Sequence, residues 1–388
     1  MSTTGGGQIL RAATLLALAA VPACVPPSRG GNGPSQNSTN TNTANTNAPA
    51  NQNGNGANAN SPGNANDNGA PAAQWQLVFD ELAASFLSVS GTASDDVYAV
   101  GADPGDGGGP YVFHYDGQRW QRLQTELSGD LWWISDRLIS GAFYLAGEGG
   151  LIIRFDPVAV TFEREDTPGT ETLFGVWGTD AGPQWAVGGD LATQASGGVI
   201  WRFAGAQWVV EDIRSLGTPD VPLVFKVWGR SATEVYVVGF SGLTARFDGD
   251  AWTRLENELS GDPPLFTIHG DDMQVVGVGG SNPGIILELD GDAFRDRAPA
   301  GALGVNGVFI PAGQRGVAVG RDASVLFQTD DGWEIQQTGF NTIRSFHAVW
   351  VDPAGGIWAV GGNIDTDPPS GGILAHYGTE PISDEIVP

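Results

Sequence analysis

Residues 173–178 have the sequence Leu173-Phe174-Gly175-Val176-Trp177-Gly178, and residues 224–229 repeat the pattern as Val224-Phe225-Lys226-Val227-Trp228-Gly229. Weaker copies begin at or near five other positions: Phe86, Leu131, Leu265, Gly304 and Ile343. About ten residues after each copy, a β-branched run ends in a glycine, at Gly101, Gly147, Gly188, Gly239, Gly277, Gly320 and Gly361. These glycines recur about every 43 residues, a period typical of propeller blades. Seven units predict an all-β, seven-bladed β-propeller with four-stranded blades.

The remainder of each repeat indicates a third strand, a tight turn and an aromatic fourth strand. One example is Phe113-His114-Tyr115-Asp116-Gly117, where Asp-Gly favours a two-residue hairpin because glycine tolerates positive φ. An aromatic residue follows the turn in six repeats: Trp120, Phe162, Trp208, Trp252, Phe294 and Trp333. We interpret these aromatics as packing between blades, and stacking on a carbohydrate is the alternative.

The two ends of the repeat region predict how the ring closes. The seventh repeat ends at 374–378, Leu-Ala-His-Tyr-Gly, without its aromatic fourth strand. A matching strand, 74–79 with Trp75, precedes the first repeat instead. We therefore expect the N-terminal strand to complete the last blade, which leaves no open sheet edge at the seam.

These motifs resemble a family of secreted bacterial propellers with tandem repeats of the form L-x-x-V-W-G, V-W-A-V-G and H-Y-D-G-x-x-W. Here they are represented by 173–178, 185–188 and 114–120. The repeats are similar in style to sialidase-type Asp-box propellers and to photosystem II assembly-factor propellers. The resemblance covers residues 75–378 and implies the fold, but it implies no single activity, since propellers host many.

The first 73 residues predict an export signal followed by a tether. Residues 1–23 contain Arg11 and a ten-residue apolar stretch, 12–21, which is too short to span a bilayer. The following Cys24 is the only cysteine, and its context resembles a bacterial lipobox, so we expect a lipoprotein anchored to the cell envelope through Cys24. An ordinary signal peptide with an incidental cysteine is the alternative. Residues 24–73 are rich in Asn, Thr, Gly and Ala and predict a disordered tether, and 74–388 form the propeller.

The acidic net charge limits the classes of molecule that the protein is expected to bind. The net charge is −26, from 44 acidic and 18 basic residues, with Lys226 as the only lysine. Nucleic acid and anionic lipid surfaces would be repelled, so membrane contact is expected only through the lipid anchor. Solubility is an alternative reason for the acidity. We expect a monomer.

No catalytic motif is complete. Lys226 does not lie in a Gly-Lys-Ser/Thr loop, and the zinc-protease and nucleophile-elbow motifs are missing from the sequence. Three arginines occupy one place in consecutive repeats, as in the carboxylate-binding set of sialidases: Arg154, Arg202 and Arg246. That place is on an outer strand, which favours a packing role for the three arginines over the binding of a substrate carboxylate. His269 and His347 are single histidines in first-strand copies, and we do not assign them as metal ligands.

Insertions are expected on one face of the propeller, at 102–110, 189–198, 281–284 and 362–371. Long loops on a rigid scaffold usually carry recognition. Five acidic residues on these loops are candidates for ligand or calcium binding: Asp103, Asp106, Asp190, Asp365 and Asp367. Solvated acidic loops are the alternative. Calcium is the one candidate cofactor.

We therefore expect a surface-anchored, non-catalytic module that binds a protein or polysaccharide through its loop-bearing face. Two alternatives remain open: a hydrolase acting on glycosides or sialic acids, which needs carboxylates converging on a central pocket, and an assembly factor for a membrane complex.

Overall fold

The computed structural model describes residues 72–217 and 220–387. These residues form seven sheets, antiparallel except for one short outer strand in each of two sheets, and the innermost strands of neighbouring sheets contact each other all the way round a ring. The predicted seven-bladed β-propeller with four-stranded blades is therefore confirmed. The predicted signal, Cys24 and the tether up to residue 71 lie outside the described residues. Among those described, no helix has the length and apolar character needed to cross a membrane.

Strands are numbered along the chain, and the first belongs to the last blade: β1 (Gln74–Ala84). Blade 1 contains β2 (Phe86–Ala93), β3 (Asp96–Gly101), β4 (Val112–Tyr115) and β5 (Trp120–Arg122). Blade 2 contains β6 (Leu131–Ile134), β7 (Phe143–Gly147), β8 (Leu151–Asp156) and β9 (Thr161–Arg164). Blade 3 contains β10 (Thr172–Thr179), β11 (Gly182–Gly189), β12 (Gly198–Phe203) and β13 (Trp208–Val210). Blade 4 contains β14 (Val224–Ser231), β15 (Glu234–Gly239), β16 (Thr244–Phe247) and β17 (Trp252–Arg254).

Blade 5 contains a short outer strand, β18 (Glu256–Asn257), and then β19 (Leu265–Gly270), β20 (Val275–Gly280), β21 (Gly284–Asp290) and β22 (Ala293–Asp296). Blade 6 contains β23 (Val305–Phe309), β24 (Val317–Gly320), β25 (Val325–Thr329) and β26 (Gly332–Gln336). Blade 7 contains β27 (Ser345–Val351), β28 (Ile357–Asn363) and β29 (Ser370–Gly378), and a last strand, β30 (Ile386–Val387), returns to blade 1. Short 3₁₀ helices lie at Glu148–Gly150, Leu191–Thr193, Arg214–Leu216 and Arg321–Ala323.

The N-terminal strand closes the ring as expected. Strand β1 pairs antiparallel with β29, and Trp75 lies opposite Tyr377. The pairing continues to Ala84 opposite Ser370, so the closing strand is five residues longer than the predicted 74–79. Because the outer strand of blade 7 comes from the opposite end of the chain, the blade forms only when the two ends meet.

A second closure comes from the C-terminal tail and was not predicted. Strand β30 pairs in parallel with β5 at the outer edge of blade 1. The tail also exchanges two hydrogen bonds with the Gln76 amide, which donates to the Ile382 oxygen (2.7 Å) and accepts from the Ile382 N–H (2.8 Å). The Trp120 indole donates to the Ser383 oxygen (3.1 Å). The tail therefore crosses the seam from blade 7 to blade 1 and covers an edge that would otherwise be open.

The first strand of every blade carries a β-bulge at the same place. In blade 1 Phe86 lies opposite Gly101, and the next pair is Ser88 with Val100, so Leu87 is left unpaired. The same shift occurs in the other six blades. A bulge re-aims the side chains around it, and here it turns one extra residue of each blade towards the ring axis.

The repeated glycine is required by a close backbone approach at this bulge. A Cβ on Gly101 would lie 2.2 Å from the Ser85 carbonyl oxygen, and the equivalent glycine of each blade meets a carbonyl at 2.0–2.3 Å. In blade 5 this glycine is Gly279, paired with Leu265, and not Gly277 as the spacing indicates. A Cβ on Gly277 would lie 3.5 Å from its nearest neighbour, a Val238 methyl group.

The repeated aromatics pack between blades, as predicted. The fourth-strand residues Trp120, Trp208, Trp252, Phe294 and Trp333 are buried. The tryptophan of the Val-Trp-Gly motif lies on the glycine of the next blade: a Cβ on Gly229 would be 2.8 Å from the Trp177 ring, and one on Gly270 would be 2.9 Å from the Trp228 ring. The motif therefore links one blade to the next.

Three of the four predicted insertions are long loops between the second and third strands of a blade. They are 102–111 in blade 1, 190–197 in blade 3 and 364–369 in blade 7. The prediction for blade 5 was wrong, because its connection is only 281–283: the pair Gly280 and Gly284 extends the strands up to the turn. We call the end of the propeller that bears the three long loops the loop face.

Candidate functional site

The unpaired residues of the seven bulges surround the propeller axis. They are Leu87, Trp132, Phe174, Phe225, Phe266, Asn306 and His347. All except Leu87 line one pocket, together with Lys226. Four aromatic rings from consecutive blades thus face two polar side chains, from blades 6 and 7, across the axis. We call this space the axial pocket.

The axial pocket opens towards the loop face. Its remaining lining residues are Leu191 and Ile364, which belong to the long loops of blades 3 and 7 and are partly exposed. The enclosed space is about 40 Å³, enough for roughly three water molecules. The aromatic rings of the wall pack edge to face: the centre of the Phe174 ring lies 5.2 Å from that of Trp132 and 5.4 Å from that of Phe225. The pocket is therefore small and largely apolar at its mouth.

Lys226 is the one strongly buried cation of this site. Its side chain comes from the bulge of blade 4 and is 4% exposed. The ammonium donates to the Phe174 carbonyl oxygen at 2.7 Å and lies 4.0 Å from the centre of the Trp133 ring. Within residues 72–217 and 220–387 no carboxylate pairs with it. Burial lowers the pKa of Lys226 to about 7, because desolvation penalises the charged form.

His347 lines the pocket in its neutral form. Burial, and then the charge of Lys226, lower the pKa of His347 to about 4. Its Nδ1 lies 2.5 Å from the Leu87 carbonyl oxygen. A carbonyl oxygen only accepts hydrogen bonds, so Nδ1 carries the proton and Nε2 is the acceptor. The first-strand histidine is therefore a polar wall of the pocket.

Hydrogen bonds between neighbouring blades hold this wall in place. The Thr267 hydroxyl donates to the Asn306 carbonyl oxygen (2.7 Å), and the Asn306 amide donates to the Phe346 carbonyl oxygen (2.8 Å). Across the ring, the Trp133 indole donates to the Val176 carbonyl oxygen (3.1 Å). Each of these bonds ends on a main-chain carbonyl oxygen of the next blade. The side chains around the axis are thus fixed in position before any ligand arrives.

A pair of side chains spans the axis at the end remote from the loop face. His269 of blade 5 lies 3.2 Å from Asp136 of blade 2, and both are buried. The Ile310 N–H donates to His269 Nδ1 (3.1 Å), so Nε2 carries the proton and donates to Asp136. Although burial alone would raise it, the pKa of Asp136 is well below its usual range because His269 and Arg137 stabilise the carboxylate.

Most of the acidic residues predicted on the loops pair with a backbone N–H or with an arginine. Asp103 accepts from the Gly105 N–H (2.8 Å), and Asp190 accepts from the Ala192 N–H (2.9 Å), which starts the turn that carries Leu191. Hydrogen bonds from Arg122 lower the pKa of Asp106 to about 2.

The two remaining acidic residues are on the blade 7 loop. Asp365 lies 3.9 Å from Arg321 in an open cleft of about 620 Å³, and Asp367 follows it by two residues. In the described ranges no three His, Cys, Asp or Glu side chains come together as a metal-binding group. Calcium binding stays a prediction.

The three arginines lie on third strands, β8, β12 and β16, as predicted. Arg154 contacts Glu163 of the adjacent outer strand β9 at 3.3 Å, and Arg202 contacts Glu211, the residue that follows the outer strand β13, at 3.0 Å. Arg246 lies 3.7 Å from Asp292 of the next blade. Each has a local acidic partner, which agrees with a packing role and not with convergence on a substrate carboxylate.

Comparison with solved structures gives the same architecture. The chain is similar to the WD40 β-propeller domain of Doa1 (TM-score 0.58, 13% identity, 79% of this chain and 98% of that one). It is also similar to U3-55K (TM-score 0.59, 11% identity, 80% and 100%) and to a GH74 xyloglucanase from Xanthomonas campestris (TM-score 0.52, 17% identity, 77% and 55%). No protein-family model matches the chain, and no curated protein matches it. The shared property is the propeller fold.

Those similar structures include both WD40 propellers and a hydrolase, so the fold admits either binding or catalysis.

The axial pocket was not predicted. Its clearest signal in the sequence is polar residues at unusual places in the first-strand motif: Asn306 and His347 stand where other copies have a hydrophobic residue, and Lys226 stands where the best copy has Gly175.

The buried lysine predicts a pH dependence of stability. Lys226→Met is expected to stabilise the protein at pH 6, with the difference from the natural protein shrinking by about 4 kcal/mol by pH 10. Between its folded pKa near 7 and the ordinary value of 10.5, the unfolded chain binds a proton that the folded protein does not. The stability of the natural protein therefore rises with pH across this window. Denaturant unfolding of both proteins at pH 6, 8 and 10 measures this, and a difference that does not change with pH would contradict it.

Proposed function

We propose that this protein is a non-catalytic binding module, held at the bacterial cell envelope by a lipid on Cys24, that captures a protein ligand on its loop face. The observation that carries the proposal is the axial pocket. Leu191 and Ile364, from two of the three long loops, stand over a ring of four aromatic side chains. Rigid pockets that accept an apolar anchor are typical centres of protein interfaces.

A protein ligand fits this surface better than a polysaccharide. Sugar sites combine aromatic faces with several polar groups that hydrogen-bond the hydroxyls. At the mouth of the axial pocket, the rings of Trp132 and Phe174 pack edge-on against each other, and the Asn306 amide is already engaged with the Phe346 carbonyl oxygen. Few polar groups remain for sugar hydroxyls.

The geometry gives less support to hydrolysis. A glycosidase needs two carboxyl groups flanking the scissile bond, about 5–9 Å apart. Among the residues lining the axial pocket and the space beneath it, Asp136 is the one carboxylate, and it is paired with His269. An assembly factor for a membrane complex is compatible with the proposed function, since such a factor also binds a protein.

The test is capture of a stoichiometric protein from solubilised cell envelopes by the full-length protein. Leu191→Asn and Ile364→Asn are each expected to weaken capture at least tenfold, because they remove apolar contacts at the centre of the interface. Val158→Asn is the matched control, since Val158 is a 92% exposed apolar residue in the turn between β8 and β9, on the opposite face. Equal loss in all three variants, or no loss in any, would overturn the proposal.

A further inference from the structure

Lys226 carries a positive charge into the pocket and has no acidic partner among the residues that the structure describes. It donates one hydrogen bond to the Phe174 carbonyl oxygen and faces the Trp133 ring. An ammonium has three N–H donors, so the site uses one in a hydrogen bond and one more against an aromatic face. Buried charges in proteins are normally paired, because an uncompensated one is costly. The only lysine of the chain therefore stands at a position where its burial costs folding free energy.

The surroundings of Lys226 suit one class of ligand. Above it lie the apolar rings of Trp132, Phe174, Phe225 and Phe266, which would hold an apolar body. The whole axial pocket, from these rings down to Lys226, offers about 40 Å³ of space and is open at Leu191 and Ile364, so an acid group can reach the ammonium while the rest of its carrier lies at the mouth. The pocket therefore combines an apolar wall with one unpaired cation at its base.

We propose that the axial pocket binds a carboxylate carried on an apolar ligand, with the Lys226 ammonium as the group that recognises it. This inference rests on the proposed function, and it adds the chemistry by which the ligand is selected. The carboxylate belongs to a chain terminus or acidic side chain of the captured protein, or to a free apolar acid. A charge-assisted hydrogen bond to Lys226 would form in a water-poor site, where such bonds are strongest.

Other charged groups near Lys226 are accounted for. His347 is neutral near pH 7, because burial and Lys226 lower its pKa to about 4. Below the axial pocket, Asp136 is ionised and held by His269 and Arg137. The Trp133 and Phe174 contacts are uncharged. Lys226 is thus the cation available to an entering carboxylate.

The first experiment uses a pair of small probes that differ only in charge. Phenylacetate is expected to bind the full-length protein at least tenfold more tightly than phenylacetamide, as measured by calorimetry or by tryptophan fluorescence. Lys226→Met should remove this preference. Equal binding of the two probes by the natural protein, or an acid preference that survives in Lys226→Met, would overturn the inference.

A second measurement uses the natural protein alone and does not depend on how the variant folds. Because only the protonated amine recognises the acid and its pKa is about 7, affinity for phenylacetate should fall about 50-fold from pH 7 to pH 9. Lys226 is also the only lysine, so reductive methylation followed by peptide mass analysis reports on this amine separately from the N-terminus. Phenylacetate should slow methylation of Lys226, and an unchanged rate at saturating phenylacetate would place the ligand elsewhere.

The source of the carboxylate is distinguished by peptides ending in phenylalanine, with a free or an amidated C-terminus. Preference for the free terminus over both phenylacetate and the amidated peptide identifies a protein terminus, whereas equal binding of the free peptide and phenylacetate identifies the acid group alone. Envelope capture that is lost in Leu191→Asn but intact in Lys226→Met, together with equal binding of phenylacetate and phenylacetamide, overturns the carboxylate inference and leaves the proposed function standing. Capture that never occurs removes the proposed function itself.

Discussion

Gly279→Ala is expected to lower the free energy of unfolding by about 3 kcal/mol or more, a cost typical of severe overpacking. The added methyl group would lie 2.2 Å from the Pro264 carbonyl oxygen and 2.7 Å from the Leu265 Cα. Both neighbours are backbone atoms that cannot turn aside as a side chain can. The carbonyl is fixed further because it accepts a hydrogen bond from the Gly280 N–H (2.9 Å).

The matched control is Gly277→Ala on the same strand and the same face. Its methyl group would make an ordinary contact at 3.5 Å with Val238, so the change is expected to be neutral or stabilising by up to about 1 kcal/mol, because alanine loses less backbone entropy than glycine. Denaturant unfolding monitored by tryptophan fluorescence measures both. Similar midpoints for the two variants would show that the bulge relaxes and does not need glycine.

This pair of glycines also shows what the sequence can and cannot predict. The recurrence of glycine about every 43 residues was sufficient to predict seven blades. In blade 5, however, the run Val275-Val276-Gly277-Val278-Gly279-Gly280 offers three candidates. The choice among them depends on which glycine faces the bulge, and strand register is set by pairing in three dimensions. Local spacing therefore predicts the fold but not the register.

The axial pocket could not be predicted from the sequence, for a related reason. Its members come from six of the seven blades and their loops, so they are spread along the sequence from Trp132 to Ile364. In a regular strand, successive side chains alternate between the two faces of the sheet, and the bulge changes which of them point to the axis. Lys226 and His347 appeared in the sequence only as single polar residues in apolar motifs. Of the candidate residues predicted on the loops, Asp103 and Asp190 are bound within their own loops, whereas Asp106 pairs with Arg122 of β5 and Asp365 lies near Arg321 of blade 6.

Of the two strands that close the ring, β1 was predicted and β30 was not. The aromatic strand around Trp75 had a recognisable pattern because it completes a repeat. The tail strand, Ile386–Val387, has only two residues and pairs in parallel with β5. Two residues are too few to show the alternation of apolar and polar side chains by which a strand is recognised in a sequence. Its attachment depends on the side chain of Gln76, which hydrogen-bonds the tail like a short piece of strand.

Deleting residues 74–84 from the full chain is expected to abolish the cooperative unfolding transition. The deletion removes β1, the outer of the two strands paired with β29, and with it the buried Val78, Phe79 and Ala84. Phe79 alone contacts the rings of Phe86, Phe113 and Trp120 in blade 1. The combined loss is comparable to the whole stability of a typical domain, about 5–15 kcal/mol.

The matched control removes the same length of chain from the predicted tether, residues 50–60, and is expected to leave the unfolding midpoint unchanged. Removing the tail from residue 380 onward should give an intermediate result, with a lower midpoint but a cooperative transition, because β1 still closes blade 7. Unfolding by denaturant, with light scattering to detect association through the exposed edge of β29, separates the three proteins. A cooperative transition at the natural midpoint after deletion of 74–84 would mean that the tail alone, or the contacts between first strands, holds the ring closed. Loss of cooperativity in that deletion alone would show that the propeller gains its stability as one closed unit, since the six complete blades are unchanged in sequence.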